Sequence, residues 1–378
     1  MFRNALVVGV RQVDQRGEEA TVEQTMLCLG QNTGNMMFTQ SLTRVLDGAK
    51  WGSFALSPEE IEGHDAIVLA AANWVNHFDD FGWLADRLEK TKLPVFLIGV
   101  GAQASNSKEI PNVTEGTLRL LSLVQDRSAS MSVRGTFSCE VLSRYGIKNV
   151  QPTGCPSLML IGREGPSASL LNEARFDACC MHATRHGFEK ADSFQTFLYR
   201  QAISRQIDLV LQSEIADIHY IMHHRTGEPV PTRAEQAVMA VYGATQADQA
   251  EAFLIRHGQV FTLYQDWIDY MKQRSFCFGT RIHGTIAALI AGTPAALIVH
   301  DSRTVEMADI MGVPVVHWQD IPCDRDIDIP RLYSRVQMQD FVEKYSGYYC
   351  NFLDYMANNS LLVAGTYNQP VRQVAYAS

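Results

Sequence analysis

Residues 275–299 read SFCFGTRIHGTIAALIAGTPAALIV, and this stretch decides the fold class. An apolar run ends at Gly279, a short polar turn follows, and small apolar residues then continue until Gly292 and Pro294 interrupt them. The last five residues are again uniformly apolar, which is typical of a strand covered on both faces. The stretch therefore predicts strand, helix and parallel strand, the repeating unit of an α/β sheet.

The same alternation of apolar runs and amphipathic stretches extends through the rest of the chain. In the first half, AIVLAA at 66–71 and VFLIGV at 95–100 predict buried parallel strands. Helices are expected at 114–127 and 136–145, with a strand at 131–133 and Gly146 as a left-handed C-cap. In the second half we expect strands at 176–182, 207–211, 260–263, 275–278 and 295–299, and helices centred near Phe197, Asp266, Ala288 and Met307.

A segment rich in Gly, Ser and Pro at 161–174 separates the two sets of elements. The chain has 378 residues, about twice the usual domain size. We therefore predict an α/β protein with two Rossmann-like domains, 1–165 and 166–378, facing a cleft. This is the GT-B-like architecture, and a final amphipathic stretch at 333–356 is expected to pack back across the cleft.

Bulk composition narrows the class of protein. The chain is 46% hydrophobic and carries a formal charge of −9, which argues against a nucleic-acid partner. The longest apolar stretch, 286–299, is broken by Gly and Pro, so no transmembrane segment is expected. Eight scattered cysteines form no CxxC pair, and the first residues lack a signal-peptide core. We therefore expect a cytoplasmic protein.

The turn after Gly279 carries the residues best suited to chemistry. A strand end meets a helix N-terminus there, and free backbone N–H groups at such a place attract anions. Arg281 offers a bidentate donor for phosphate or carboxylate, and His283 can exchange a proton near neutral pH. The helix is expected to begin near Gly284, which would let a ligand approach the backbone, because it has no side chain. Two hydroxyl groups are expected to cap this helix or to donate to an oxyanion: Thr280 and Thr285.

The next predicted strand ends in further polar residues. His300, Asp301 and Arg303 follow it and should lie at the same sheet edge. An isolated R-x-H tripeptide is more often a surface ion pair beside a structural histidine. The neighbouring polar strand end favours a ligand-binding crevice instead.

The run at 279–314, GTRIHGTIAALIAGTPAALIVHDSRTVEMADIMGVP, resembles the signature of the polysaccharide pyruvyl transferase family. In that family R-x-H precedes a small-residue helix, then G-x-P, a strand, an aspartate and a basic residue. Earlier segments agree: NTGN at 32–35 resembles the family's N-x-G-D turn, and IGVGAQ at 98–103 its glycine-rich strand end. Residues 133–146 resemble its V-R-x-x-x-S-x-x-x-L-x-x-x-G element, and GCP at 154–156 its G-D-P turn. The similarity extends over residues 26–316.

Three positions depart from the family pattern. Asn35 and Cys155 stand where aspartates are usual, and Arg303 stands where the family often has lysine. The last change keeps the charge but alters its geometry.

The resemblance implies a transferase that uses phosphoenolpyruvate as donor substrate, with no further cofactor and no metal, and forms a pyruvate ketal on a sugar. His283 is then the general acid or base and Arg281 the main anion clamp. Further donor-binding candidates are Thr280, Gly284, Thr285, Arg134, His300, Asp301 and Arg303. The candidates for the acceptor side or the cleft are Asn32, Gly34, Asn35, Gly101 and Gln103. A lipid-linked acceptor would be met at a membrane surface, and the sequence does not specify an oligomeric state.

Because a helix N-terminus disfavours an imidazolium, His283 is expected to be largely neutral in the free enzyme. A bound anionic donor would raise its pKa. The proton-donating form is therefore expected mainly in the complex.

Two other functions remain open. One is a GT-B-type glycosyltransferase with a nucleotide-sugar donor, and the other is a catalytically inactive carbohydrate-binding relative, which the missing carboxylates favour. The histidine pairs His219/His223 and His182/His186 have metal-ligand spacing but no acidic partner at matching spacing. The acidic residues at 324–328 are expected in a solvated loop. Stacking on sugar faces is open to Trp74, Trp83 and Tyr145, but the sequence favours core packing for them.

Overall fold

The computed structural model describes residues 1–14, 20–103, 110–185, 193–243, 247–369 and 371. Of the side chains within these ranges, those of Ala247, Ser302 and Arg303 are not described. The architecture consists of two parallel sheets with helices around them, joined by the C-terminal helix.

A four-stranded parallel sheet in the order β2-β1-β3-β4 forms the first half. Its strands are β1 (Ala5–Val8), β2 (Lys50–Gly52), β3 (Ala66–Ala70) and β4 (Val95–Ile98). The parallel pair β5 (Met131–Val133) and β6 (Val150–Pro152) continues it, since Val100 bridges Val133. The helices are α1 (Val22–Cys28), α2 (Asn35–Val45), α3 (Pro58–Ile61), α4 (Gly82–Leu88), α5 (Glu115–Arg127) and α6 (Thr136–Arg144). The apolar strands β1, β3 and β4 are buried along their whole length, as their sequence predicts.

A six-stranded parallel sheet forms the second half. Its strands are β7 (Cys179–His182), β8 (Asp208–Leu211), β9 (Gly258–Val260), β10 (Phe276–Gly279), β11 (Ala295–Val299) and β12 (Val315–His317). Their order is β9-β8-β7-β10-β11-β12, or 3-2-1-4-5-6 when counted from β7. This is the Rossmann order, and its switch point lies between β7 and β10.

Nine further helices of the described chain surround this sheet. They are α7 (Phe194–Arg205), α8 (Ile215–Thr226), α9 (Thr232–Tyr242), α10 (Ala247–His257), α11 (Tyr264–Met271), α12 (Ile282–Ala291), α13 (Ser302–Met311), α14 (Ile329–Ser334) and α15 (Met338–Asn358). Short 3-10 helices span Pro156–Ile161, Ala168–Leu171 and Trp318–Asp320. The predicted fold class, two Rossmann-like halves facing a cleft, is confirmed, while the division at residue 165 stays a prediction.

The last long helix returns to the first half. The Tyr348 hydroxyl donates to the Cys155 carbonyl at 2.6 Å, and Gln151 Nε2 donates to Asn351 Oδ1 at 3.0 Å. Beyond the helix, Leu361 forms a bridge with Phe2. The expected return of this segment across the two halves is therefore confirmed.

The start of α12 corrects the sequence prediction. The helix begins at Ile282 rather than near Gly284, with Arg281 as its N-cap. His283 therefore lies inside the first helical turn and is fixed by the helix backbone.

Two strand boundaries also differ, and one helical segment had no predicted bounds. The strand predicted at 260–263 is displaced, because β9 ends at Val260, and the strand predicted from Phe176 begins only at Cys179. The segment 215–257, for which the pattern gave no bounds, forms α8, α9 and α10. Within the ranges that the structure describes, no helix is both long and apolar enough to cross a bilayer.

Candidate active site

A cavity of about 380 Å³ lies between the two halves, at the switch point of the second sheet. We call it the donor cavity. Its lining residues follow the strands of both sheets: Asn32, Asn35, Ala72, Asn73, Phe78, Gln103, Arg134, Thr184, Gln212, Thr280, Arg281, Ile282, His283, His300, Thr304 and Met307. Crevices at switch points are where open α/β sheets bind ligands. The structure therefore brings together the predicted residues Asn32, Asn35, Gln103, Arg134, Thr280, Arg281, His283 and His300.

Arg281 is fixed at the cavity by bonds from its backbone and its side chain. Its N–H donates to His182 Nδ1 at 3.0 Å, and its Nη2 contacts Ser213 Oγ and Glu214 Oε1. Burial raises the pKa of Glu214, but the guanidinium and two backbone N–H groups outweigh it, so this pKa lies below its ordinary value. Arg281 is thus a preoriented member of a buried ion pair, and its role as the main anion clamp stays a prediction.

His283 is enclosed by residues of both halves. A Cβ added at Gly34 would lie 2.6 Å from its Nδ1, and Cys155 Sγ is 3.6 Å from its Nε2. Burial, followed by the nearby charges of Arg134 and Arg281, lowers the pKa of His283 to about 3. The expected neutral imidazole agrees with this value, although burial and cations are its causes here rather than the helix N-terminus. Gly34 is needed because a side chain would displace the ring.

Gly284 and Thr285 do not have the roles predicted for them. A Cβ at Gly284 would lie 2.3 Å from His182 Cδ2, so this glycine accommodates a buried imidazole and not a ligand. Thr285 Oγ1 is 3.4 Å from His182 Nε2, and α12 has no side-chain cap. Burial lowers the pKa of His182 to about 3, so its neutral ring can accept the Arg281 N–H.

Thr280 lines the cavity, but its hydroxyl is already bonded. It accepts from the Thr184 N–H at 2.9 Å and donates to Gln195 Oε1 at 3.0 Å. The predicted capping role is wrong, because this hydroxyl joins the ends of β7 and β10 instead.

The end of β11 also differs from the prediction in part. Asp301 accepts from the Thr304 N–H at 2.9 Å and caps α13, outside the residues that line the cavity. His300 lines the cavity with its ring nitrogen 3.7 Å from the Asp301 carboxylate. The side chain of Arg303 lies outside the described residues.

Arg134 brings a second cation from the first half. Its Nε donates to the Gly99 carbonyl at 2.9 Å and its Nη1 to Asn73 Oδ1 at 2.5 Å. A Cβ at Gly101 would lie 2.7 Å from Arg134 Cδ, so Gly101 makes room for the arginine rather than lining the cleft. Two guanidinium groups, one from each half, therefore border the same cavity.

At the two positions where the family usually has aspartates, Asn35 and Cys155 make contacts of their own. Asn35 Nδ2 donates to the carbonyls of Leu29 and Gly30, both at 3.1 Å, where an aspartate would place a negative charge against them. Cys155 places a thiol against His283 where the family usually has a carboxylate. Neither position supplies an acid to the cavity.

Several residues that build the site were missed from the sequence. Gln212 lines the cavity, and Glu214 holds Arg281. Glu306 accepts from the Ser138 N–H and hydroxyl at 3.1 and 2.9 Å, which joins the two halves. For Gln212 and Glu214 a signal existed, because Gln212 directly follows the apolar run that ends at Leu211 and Glu214 comes shortly after it.

The histidine pairs, the acidic loop and Tyr145, which gave weaker signals in the sequence, make contacts with other residues of the protein. His219 Nε2 is 3.1 Å from Glu23 Oε1, and His223 Nδ1 bonds the Glu228 carbonyl at 2.8 Å. His186 lies outside the described residues, and the described ones contain no group of three or more potential metal ligands. In the acidic loop, Asp326 accepts from Gln201, and Asp328 caps α14. The Tyr145 hydroxyl donates to the Pro111 carbonyl, which agrees with a packing role.

A comparison with known protein families identifies a match. The family model described as polysaccharide pyruvyl transferase matches residues 32–302. No curated protein matches the chain. Among solved structures, UDP-N-acetylglucosamine 2-epimerase from Rickettsia bellii is 9% identical with a TM-score of 0.45, covering 95% of this chain and 96% of its own. The S. aureus MnaA-UDP co-structure is 11% identical with a TM-score of 0.37, covering 98% of this chain and 94% of its own. On the match to its family model, which spans well over half of its length, the chain belongs to the polysaccharide pyruvyl transferase family.

Proposed function

We propose that this protein transfers a pyruvyl group from phosphoenolpyruvate to a sugar of a polysaccharide or glycan precursor and forms a pyruvate ketal. The observation that carries the proposal is the donor cavity itself, where two buried guanidinium groups and a neutral imidazole border one space. Phosphoenolpyruvate carries a phosphate and a carboxylate, and each anion requires a cation or oriented N–H groups.

Arg281 and Arg134 are the groups suited to these two anions. Both are less than one-tenth exposed, so their attraction for an anion is weakly screened by water. Glu214 neutralises part of the Arg281 charge but fixes its direction, and preorientation lowers the ordering cost of binding. His300 and Thr304 complete the wall on the side of β11.

His283 is the proton carrier of the proposed reaction. Protonation of the donor's methylene makes its central carbon electrophilic, and one sugar hydroxyl adds there and releases its proton. The bond to the phosphate oxygen then breaks, and a second hydroxyl closes the ketal and releases another proton. One of the two hydroxyl protons replaces the proton used on the methylene, and the other leaves with phosphate.

The experiment is incubation with labelled phosphoenolpyruvate and a panel of lipid-linked and nucleotide-linked glycans, with detection of phosphate release and product mass. His283→Asn should lower the rate of single turnover at least about 100-fold, because it removes the proton carrier and keeps a similar shape. A thermal shift caused by nucleoside diphosphates but not by phosphoenolpyruvate would overturn the proposal in favour of a nucleotide-sugar donor. Sugar binding without turnover of any donor would indicate an inactive carbohydrate-binding protein.

The pH dependence tests how the proton arrives. With a pKa of about 3, His283 is neutral in the free enzyme at all physiological pH values. A bound dianionic phosphate should raise that pKa, so protonated His283 should persist to higher pH in the complex. Single-turnover rates measured with saturating donor should therefore have a limiting pKa above that seen at low donor concentration. Identical values in the two regimes would contradict this route.

A further inference from the structure

A second cavity of about 420 Å³ adjoins the donor cavity on the side of the first half. Five residues line both spaces: Asn32, Asn35, Ala72, Asn73 and Gln103. We call these shared residues the amide neck, because four of them carry side-chain amides. An amide can both donate and accept hydrogen bonds without charge, which matches the hydroxyl groups of a sugar.

The wall beyond the amide neck is aromatic. Phe54, Trp74, Phe81 and Trp83 line it. Trp74 stacks on Phe81 with ring centroids 4.5 Å apart, and Phe54 meets the edge of Trp83 at 6.2 Å. Trp83 is 43% exposed, so the core packing predicted for it is wrong, whereas Trp74 is 9% exposed and buried as predicted. The Arg87 guanidinium lies over one face of Trp83, with Cζ 5.0 Å from the ring centroid, and the exposed remainder of this ring is open to a ligand.

Charge separates this cavity from the donor cavity. Among the described residues that line it, Asp79 alone carries a formal charge, and its Oδ2 accepts from Asn76 Nδ2 at 2.8 Å. The donor cavity has Arg134 and Arg281 instead. An anion is therefore drawn to the donor cavity, and the aromatic cavity is suited to an uncharged ring that has both an apolar face and hydroxyls.

We propose that the aromatic cavity binds one uncharged pyranose unit of the acceptor. The apolar C–H face of the sugar lies against Trp83, and its reacting hydroxyls lie at the amide neck, beside the donor cavity. This inference rests on the proposed function for the direction of the hydroxyls. The assignment of a neutral sugar to this cavity rests on the lining residues themselves.

Saturation-transfer NMR with methyl glycosides of neutral hexoses and the matching uronic acids tests binding without turnover. The His283→Asn variant should bind at least one neutral glycoside, and the added Trp83→Ala change should weaken that binding about fivefold to tenfold. Trp83→Phe should restore most of the affinity, since it keeps a ring. Trp51→Ala is the matched control, because Trp51 is 40% exposed and lines neither cavity.

The outcomes separate this inference from the proposed function. If no neutral glycoside binds, or if Trp51→Ala weakens binding as much as Trp83→Ala, the aromatic cavity is not the sugar site. Sugar binding that depends on the Trp83 ring, without any turnover of phosphoenolpyruvate, would support the inference and contradict the proposed function. Turnover of phosphoenolpyruvate with an acceptor KM that Trp83→Ala leaves unchanged would support the proposed function and contradict this inference. A rise of the acceptor KM with an unchanged donor KM is the expected result.

Discussion

The two sides of the cleft are built from the same kind of sheet edge but carry different chemistry. In the second half, β10 passes through a single short turn into α12, which fixes Arg281 at the end of that turn and His283 in the first turn of the helix. In the first half, longer segments that follow all four strands, β1 to β4, present the amide neck and the aromatic wall. Tight turns suit buried charge that must be oriented, whereas longer segments suit a varied neutral surface. The first half therefore presents the neutral surface and contributes Arg134 to the donor cavity, whereas the second half contributes Arg281 and His283.

The largest effect should follow from breaking the buried ion pair of the second half. Glu214→Ala leaves the Arg281 charge buried without its carboxylate and should lower the free energy of unfolding by about 3–5 kcal/mol. Asn73→Ala removes an uncharged partner of Arg134 and should lower it by less, about 1.5–3 kcal/mol. Urea denaturation measures both. Equal losses of unfolding free energy in the two variants would contradict the expected difference between the two sides of the cleft.

The dependence of stability on acidic pH provides a control for the Arg281–Glu214 ion pair. The folded-state pKa of Glu214 lies below its ordinary value of 4.5, so its stabilisation is present at neutral pH. It is lost as pH falls through the lowered folded-state pKa. Glu214→Gln should therefore reduce the dependence of stability on pH in this acidic range.

An intermediate effect is expected at the thiol beside His283. Cys155→Asp places a carboxylate near Nε2 and should raise the pKa of His283 from about 3 to about 4–6. NMR titration of the ring protons measures this pKa, with His283→Asn identifying the signal. Cys155→Ser adds no charge and should leave the pKa nearly unchanged. A serine variant that shifts it as far as the aspartate would show that packing, not charge, controls this imidazole.

The smallest effect should appear on the neutral side. Asn35→Asp loses two hydrogen bonds to the Leu29 and Gly30 carbonyls and sets a charge against them, which should cost about 1–3 kcal/mol of stability. Asn32→Ala loses one bond to the Gly34 N–H and should cost about 1 kcal/mol. Thermal unfolding at neutral pH compares them. An Asn35→Asp variant as stable as the wild type would show that neutrality is not required here.

The fold was largely predictable because parallel strands buried on both faces are continuous apolar runs. AIVLAA and AALIV both proved to be buried strands, and Gly146 has the left-handed conformation that its place after a helix predicts. The start of α12 was misplaced because Arg281 has no capping side chain of the usual kind. The helices between β8 and β9 were not bounded from the sequence, although α8 and α9 end at Gly227 and Gly243 in the left-handed conformation, which is a usual C-cap signal.

The site was predictable in part for a different reason. Residues that follow apolar strands meet at one sheet edge, and this places Arg281, His283 and His300 together from sequence alone. The partners of these residues come from distant positions, as Glu214 and Cys155 do, and no local pattern reveals such pairings. Gly284 was misassigned because its neighbour, His182, comes about 100 residues earlier in the chain. Local patterns thus locate a functional edge but not the contacts that tune it.

Because Gly34 approaches His283 closely, the pKa of this imidazole should depend on the distance between the two halves. Gly34 and Arg134 belong to one half and the imidazole to the other, and burial between them is the main cause of its low pKa. Any widening of the gap would admit water and move Arg134 away, so the ring would become more basic. The pKa of this single side chain should therefore report how far the two halves have separated. It can be measured in solution without any attached label.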